Sequence, residues 1–343
     1  MIPIRHRVRR SLEKNLTDVA AAVLGRMPRF VYGGTLGDSL PVFTYHRVDA
    51  SFEQDLARLR AGGYRTARAA ELEEYARTGR LRAPRTVALT FDDGDESLTR
   101  IAVPLLKAYG YGGIGFVVAG LVPEASDGRL CGWRELAEAV RERSLEIGVH
   151  SLFHHHVPTG PDALGRIDER TPLTFTAGIP VPRIPGDAPV SLGMPLLRGT
   201  PRYLARAAFR PAPGTLERWA ATNGSSAIEG SYETPDEADR AIQDDMRRAI
   251  ELVRLRCSNP AEAHLCYPWY AGDTRTDRLA HAAGVRMVYG GIHRRARSTE
   301  PLGCQRLPSV LIRCLPGKGR QSLPRVLATN AVLQLRRRGS SYS

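Results

Sequence analysis

The chain has 343 residues, 42% of them hydrophobic and 25% charged, a balance that suits a globular protein of one large or two ordinary domains. No apolar run reaches the roughly eighteen residues that a membrane-spanning helix needs. The net charge is +13, but only three of the 49 basic residues are lysines (Lys14, Lys107 and Lys318) and no recognisable nucleic-acid module accompanies the charge, so no nucleic-acid partner is expected.

At the N-terminus the charges of MIPIRHRVRR interrupt any apolar core, which argues against a secretory signal. Leu12, Leu16, Val19, Val23, Leu24 and Met27 then follow at helical spacing. They predict an amphipathic helix that packs on the main domain, or alternatively lies on a membrane surface. Residues 1–40 are read as this helix and a lead-in.

From residue 41 the pattern alternates. PVFTYH (41–46) reads as a strand and 51–64 as a helix stopped by glycines. TVALTF (86–91) is a strand, and 96–110 a helix that Pro104 kinks. GIGFVVA (113–119), WRELAEAVRER (133–143) and LEIGVH (145–150) read as strand, helix and strand. After a break come a long helix (235–256), a strand (263–269), a helix (274–284), a strand (285–290) and a last strand RLPSVLI (306–312). This alternation predicts an α/β fold, a distorted (β/α) barrel of about seven strand–helix units over residues 41–312. Residues 313–343 are read as a basic C-terminal helix or tail.

The break, residues 157–234, holds 11 of the 24 prolines and shows no clear periodicity. It is read as a long Pro-rich insertion at one barrel face, either a cap over the substrate or a decoration packed on the side.

Two segments carry the chemistry. Asp92 and Asp93 end the strand TVALTF, and His150 ends LEIGVH, with His154 four residues on. Strand C-termini face the mouth of a parallel barrel. Two imidazoles and a carboxylate leave open positions on a metal ion, the pattern of a catalytic site. A divalent cation would also let two neighbouring carboxylates stay ionised, one as ligand and one as base. The competing reading makes DDG a plain turn and HSLFHHH a surface loop.

TFDDG (90–94) and HSLFH (150–154) resemble the first two motifs of the NodB-type polysaccharide deacetylases, carbohydrate esterase family four. The resemblance extends over roughly residues 40–156 and 235–312. It implies Asp92 as general base and Asp93, His150 and His154 as ligands of a divalent metal, zinc by preference. It implies removal of an N-acetyl group from an amino sugar.

The family's third motif often reads Arg-x-Pro, whereas Cys266 stands at that arginine's place in CYPWYAG. The stretch resembles a branch with a Tyr-Pro motif, and leaves the residue that orients Asp92 unnamed. Tyr267, Pro268 and Trp269 are expected to line the pocket, with the Tyr267 backbone N–H as oxyanion donor and Trp269 stacking on a sugar or packing in the core. For the general acid the candidates are His293 and His46, each with a structural role as the competing reading.

Five cysteines (Cys131, Cys257, Cys266, Cys304 and Cys314), an odd number without CxxC spacing, suggest reduced thiols and a cytoplasmic protein. Arg5, Arg7, Arg9 and Arg10 at one end and Arg336, Arg337 and Arg338 at the other suggest peripheral contact with the anionic inner membrane face, or simply solvated ends. With these features the expected substrate is a lipid- or nucleotide-linked amino sugar. Rival readings are hydrolysis of another C–N bond (formamide, ureide or imide) on the same scaffold, and a catalytically weakened glycan-binding relative.

Overall fold

Six-residue and shorter runs of β-branched and aromatic residues set the frame. The structure, a computed structural model, describes residues 27–168, 192–291 and 298–337, with the side chains of 331–337 excepted. The expected N-terminal helix, His293 and the basic side chains of both termini lie outside the described residues.

The strands β1 (Val42–Tyr45), β3 (Thr86–Phe91), β4 (Gly113–Val117), β5 (Leu145–Val149), β10 (His264–Cys266) and β11 (Met287–Gly290) pair in parallel in the order β1-β3-β4-β5-β10-β11. The short β2 (Arg65–Thr66) joins β3 from outside this path. β12 (Leu302–Gln305) pairs with β11, and β13 (Leu307–Pro308) pairs with β1. These two are halves of one segment broken at Arg306, so the sheet nearly closes into a barrel of seven staves. Helices α1 (Phe52–Ala61), α2 (Ala69–Thr78), α3 (Val103–Tyr109), α4 (Trp133–Arg141), α6 (Pro235–Cys257) and α7 (Thr274–Ala282) accompany the strands, and α8 (Leu323–Arg337) follows the last one.

Side-chain alternation sorts the strand residues. Val42, Ala88, Ile114, Phe116, Cys266, Met287 and Tyr289 form one buried cluster, which fills the barrel. Their neighbours Phe43, Leu89, Phe91, Ile147, Val149, Leu265 and Val288 belong to the larger cluster against the helices. Continuing the inward set past the strand ends brings in Asp92, His150 and Arg306. The interior is tight. A Cβ at Gly148 would lie 2.7 Å from the Phe116 ring and 2.8 Å from the His264 carbonyl oxygen.

Several elements differ from the sequence reading. The helix expected over 96–110 begins as a wider π-turn at Leu98–Ala102 and becomes α-helical only from Val103, with Pro104 in its first turn, where a missing N–H costs little. The strand expected over 306–312 is reduced to Leu307–Pro308, and the rest winds into a 3-10 turn over Ser309–Cys314. β2, α2 and β12 were not anticipated.

The insertion is not structureless where it is described. β6 (His156–Arg166) and β7 (Pro195–Pro201) pair antiparallel, as do β8 (Phe209–Pro211) and β9 (Gly230–Tyr232), with α5 (Thr215–Ala221) between them. Leu197, Phe209, Leu216 and Ile228 give it a small core of its own. α6 then starts on a capping box. The Thr234 hydroxyl accepts from Glu237 N, the Glu237 carboxylate accepts from Thr234 N, and Pro235 takes the first turn.

The crowding at Gly148 yields a test. Gly148→Ala should destabilise the protein by about 1–3 kcal/mol through overpacking against Phe116 and the β10 backbone. Urea unfolding measures this, and a variant as stable as the wild type would contradict the described packing.

Candidate active site

Consecutive strand residues point to opposite faces, so two adjacent carboxylates reach the same cavity only if the strand breaks between them. It does. Asp92 keeps the inward direction of β3, while Asp93 takes a left-handed backbone with φ 71° and Gly94 one with φ 72°. Aspartate tolerates that region better than most residues. The turn swings the Asp93 side chain back over the barrel mouth.

There Asp93 meets the two histidines. Its Oδ1 lies 3.3 Å from His150 Nε2 and 3.7 Å from His154 Nε2. Two ligands of one tetrahedral ion with bonds of 2.0–2.2 Å stand about 3.4 Å apart, so these separations match the edges of such a site. All three ligand atoms lie within 4.8 Å of one another. His150 Nδ1 is 2.9 Å from the Cys266 carbonyl oxygen. A carbonyl only accepts, so Nδ1 carries the hydrogen and Nε2 turns toward Asp93.

Burial and the neighbouring His150 push the His154 pKa down to about 3, which leaves a neutral imidazole. Burial also disfavours charge on His150, but the Asp93 carboxylate it faces and the nearby Asp92 favour it, and its pKa is raised. The pocket therefore favours positive charge at this point. Proton and cation compete for the same place.

A second donor set, Asp92, His150 and Cys266, is equally close-set. It does not suit a cation, because a guanidinium already occupies it. Arg306 Nη1 donates to Asp92 Oδ1 at 2.6 Å, and Nη2 lies 2.8 Å from Cys266 Sγ. Both Arg306 and Asp92 are buried, at 1% and 2% exposure. Burial would raise the Asp92 pKa, but Arg306, with His150 and His46, holds it far below the ordinary carboxylate range. Burial raises the Cys266 pKa too, so it stays a thiol.

Arg306 is the partner of Asp92 that the sequence reading left unnamed. It comes from the β12–β13 break, on the far side of the barrel closure from β10. Cys266, on β10, is small enough to leave room for its side chain. The signal was present: Arg306-Leu307-Pro308 has Arg-x-Pro spacing, but at the end of the last stave.

Other residues fall differently. His46, the residue after β1, stands at the rim with its Nε2 3.8 Å from Asp92 Oδ2 and its side chain 53% exposed. Tyr267 does not line the pocket. Alternation turns it outward, where it is fully buried, stacks edge-on with Tyr203 and donates to Asp277 Oδ1 at 2.8 Å. Nor is its backbone N–H free for an oxyanion, since it donates to the Tyr289 carbonyl in the sheet at 3.3 Å. Pro268 is buried beneath the rim. Trp269, with φ 52°, packs on His154 and His156 at ring distances of 4.2 and 4.6 Å and keeps part of its surface exposed. A small cleft opens beside it, lined by Ser151, His155, Tyr203 and Pro268 among others.

Comparison with known proteins agrees with this frame. The family model described as Polysaccharide deacetylase matches residues 80–170, which include both carboxylates and both histidines. A curated relative, the poly-beta-1,6-N-acetyl-D-glucosamine N-deacetylase of Escherichia coli (strain K12), is 25% identical over 119 residues. That match spans 31% of this chain and 18% of the relative's length. Among solved structures, IcaB from Ammonifex degensii superposes with a TM-score of 0.51 at 22% identity, covering 85% of this chain and 97% of that one. The BpsB deacetylase domain from Bordetella bronchiseptica gives 0.52 at 18% identity, covering 78% and 94%. At these identities the structures share the fold, a deacetylase-type (β/α) barrel. The likeness to the polysaccharide deacetylases is thus carried by residues 80–170, and the solved structures add the fold.

The buried pair sets a stability test. Arg306→Met leaves Asp92 charged and unpartnered in the barrel, and should cost about 3–5 kcal/mol. Adding Asp92→Asn to that variant should recover part of the loss. Equal stabilities for wild type and Arg306→Met in denaturant titration would contradict the pairing.

Proposed function

We propose that the chain is a metal-dependent N-deacetylase acting on N-acetylglucosamine units of a glycan. The observation that carries this reading is the division of two neighbouring carboxylates: Asp93 faces two imidazoles, while Asp92 is tied to Arg306 and left beside them.

Asp93, His150 and His154 are the residues that would hold a divalent cation, and two nitrogens with one oxygen suit zinc. When bound, such an ion supplies Lewis acidity to the amide carbonyl and acidifies water, which offsets the basicity that Asp92 loses to Arg306. Arg306 engages Oδ1 and keeps Asp92 ionised and fixed. Oδ2 is the atom turned toward His46, and it serves as the proton acceptor. His46 Nε2, at the rim, is placed to give a proton to the departing sugar nitrogen. Trp269 offers a partly exposed ring beside the ligands for a sugar face.

Arg306 also bears on the rival reading of a glycan binder without turnover. That reading rested on a missing arginine beside the base and on an unclear general acid; Arg306 stands beside the base, which removes the first ground. For the substrate, the Escherichia coli relative, a poly-beta-1,6-N-acetyl-D-glucosamine N-deacetylase, favours a β-1,6-linked N-acetylglucosamine polymer. The expected lipid- or nucleotide-linked sugar has no support from the comparisons. The cytoplasmic placement rests on the five free, buried cysteines, and belongs to this proposal.

The test measures acetate release from β-1,6-linked N-acetylglucosamine oligomers, with lipid- and nucleotide-linked N-acetylglucosamine as parallel substrates. Zinc-loaded protein should release acetate and chelator should stop it. Asp92→Asn and His46→Ala should each lose about 10²–10⁴-fold in kcat, the usual worth of a positioned acid or base, with zinc still bound. Full activity in Asp92→Asn would remove the base assignment. No acetate from any of the three substrates would overturn the deacetylase reading.

A further inference from the structure

Asp245 is out of place in its helix. The buried face of α6 runs Ala238, Ile242, Asp245, Met246, Ala249, Ile250 and Val253, so a carboxylate sits in the middle of an apolar stripe. A buried charge without partners would cost several kcal/mol. Its Oδ1 accepts from the Tyr203 hydroxyl at 2.5 Å and from the backbone N–H of Leu152 at 3.1 Å. Leu152 lies between His150 and His154.

The turn from His150 to His154 has a reason to need such help. Ser151 and His154 both adopt left-handed backbone, with φ 66° and 48°. Each such residue costs about 1–3 kcal/mol and persists only where its surroundings over-determine it. Ala119 N and Gly120 N hold the turn's carbonyls at Ser151 and Leu152. Two of its N–H groups are held by side chains: Leu152 N donates to Asp245 Oδ1, and His154 N donates to Ser151 Oγ at 2.8 Å. Burial and Asp245 both keep the Tyr203 phenol protonated, so its hydroxyl is the donor to Asp245. Asp245 thus ties the Tyr203 hydroxyl and the Leu152 backbone to one carboxylate oxygen.

Tyr203 belongs to the insertion, which is anchored at this point. The Tyr203 carbonyl accepts from Thr276 Oγ1 at 2.8 Å and Ala205 O accepts from Arg275 at 3.1 Å, both on α7, while the buried Arg202–Glu233 pair at 2.8 Å stiffens the insertion from within. This inference rests on the proposed metal centre. We propose that Tyr203 and Asp245 are positioning residues that brace the 150–154 turn in ligating geometry, so that the insertion stabilises the metal site as well as flanking the cleft. They act on the metal site through the backbone that carries the two histidines.

The experiment reads zinc affinity directly, by competition with a chromophoric chelator on the full chain, without reference to turnover. Groups that support metal ligands from behind typically contribute about 10–100-fold in affinity. Tyr203→Phe, which deletes one oxygen, should weaken zinc binding about tenfold, and Asp245→Ala by up to about a hundredfold. Asp245→Asn keeps an acceptor oxygen and should recover most of that loss. Leu216→Ala, in the insertion's own small core, should lower the melting temperature and leave zinc affinity unchanged. Should Asp245→Ala fail to fold, Tyr203→Phe decides alone. Wild-type affinity in a folded Tyr203→Phe overturns the brace. An inactive wild type that binds zinc tightly overturns the deacetylase reading and leaves the brace standing. A wild type that binds no zinc overturns both.

Discussion

Two like charges joined by one peptide bond cannot share a dry cavity unless each finds its own counter-charge, and the site is built around that constraint. Asp92 inherits the inward direction of β3 and meets a guanidinium. Asp93 leaves the strand through a left-handed turn and meets two imidazoles. The environments differ so strongly that the carboxylates take different chemical roles, although they are neighbours in sequence. The partner of Asp92 is supplied only when the barrel closes, because Arg306 sits at the break where the last stave passes from β11 to β1. Closure of the fold and completion of the site are therefore the same event.

The arrangement involves a compromise. A carboxylate held by a buried arginine stays ionised over the whole physiological range, but it is a weaker base for that reason. Such a group suits only a reaction in which the proton it takes has been made acidic by something else, and the cation-favouring pocket beside it meets that need. The thiol of Cys266 fits the same logic. It is small, stays protonated, and occupies the space behind the guanidinium without adding charge.

Much of this was legible in the sequence. The barrel strands announced themselves as short runs of β-branched and aromatic residues, and the places of Asp92 and His150 at strand ends, with the resemblance of TFDDG and HSLFH, pointed to one site for Asp92, Asp93, His150 and His154. What was not legible depended on contacts distant in the chain. Arg306 looked like the start of an ordinary strand, because its partner lies 214 residues away and meets it only through closure. Tyr267 looked like pocket lining because its neighbours are. One step of alternation, fixed by Cys266 pointing inward, turned it to the helix layer instead. β2, two residues long, was too short to show a pattern, and β12 reads Leu-Gly-Cys-Gln, without a β-branched or aromatic residue. The insertion's prolines hid two antiparallel strand pairs, and the β6–β7 pair shifts register between Pro158 and Gly165, which breaks the period-two signal. Asp245 carried a readable clue, a carboxylate within an apolar helical stripe, but the residues that satisfy it could not be named from spacing.

The central claim is that a single cation is gripped by Asp93, His150 and His154 while Asp92 stays off it. Anomalous diffraction at the zinc edge, from crystals of the zinc-loaded protein, tests this most directly. The account predicts one strong peak at about 2.0–2.2 Å from an Asp93 oxygen and from Nε2 of both histidines, with Asp92 still paired to Arg306. A peak on Asp92 and Cys266, or no peak at the barrel mouth, would contradict it.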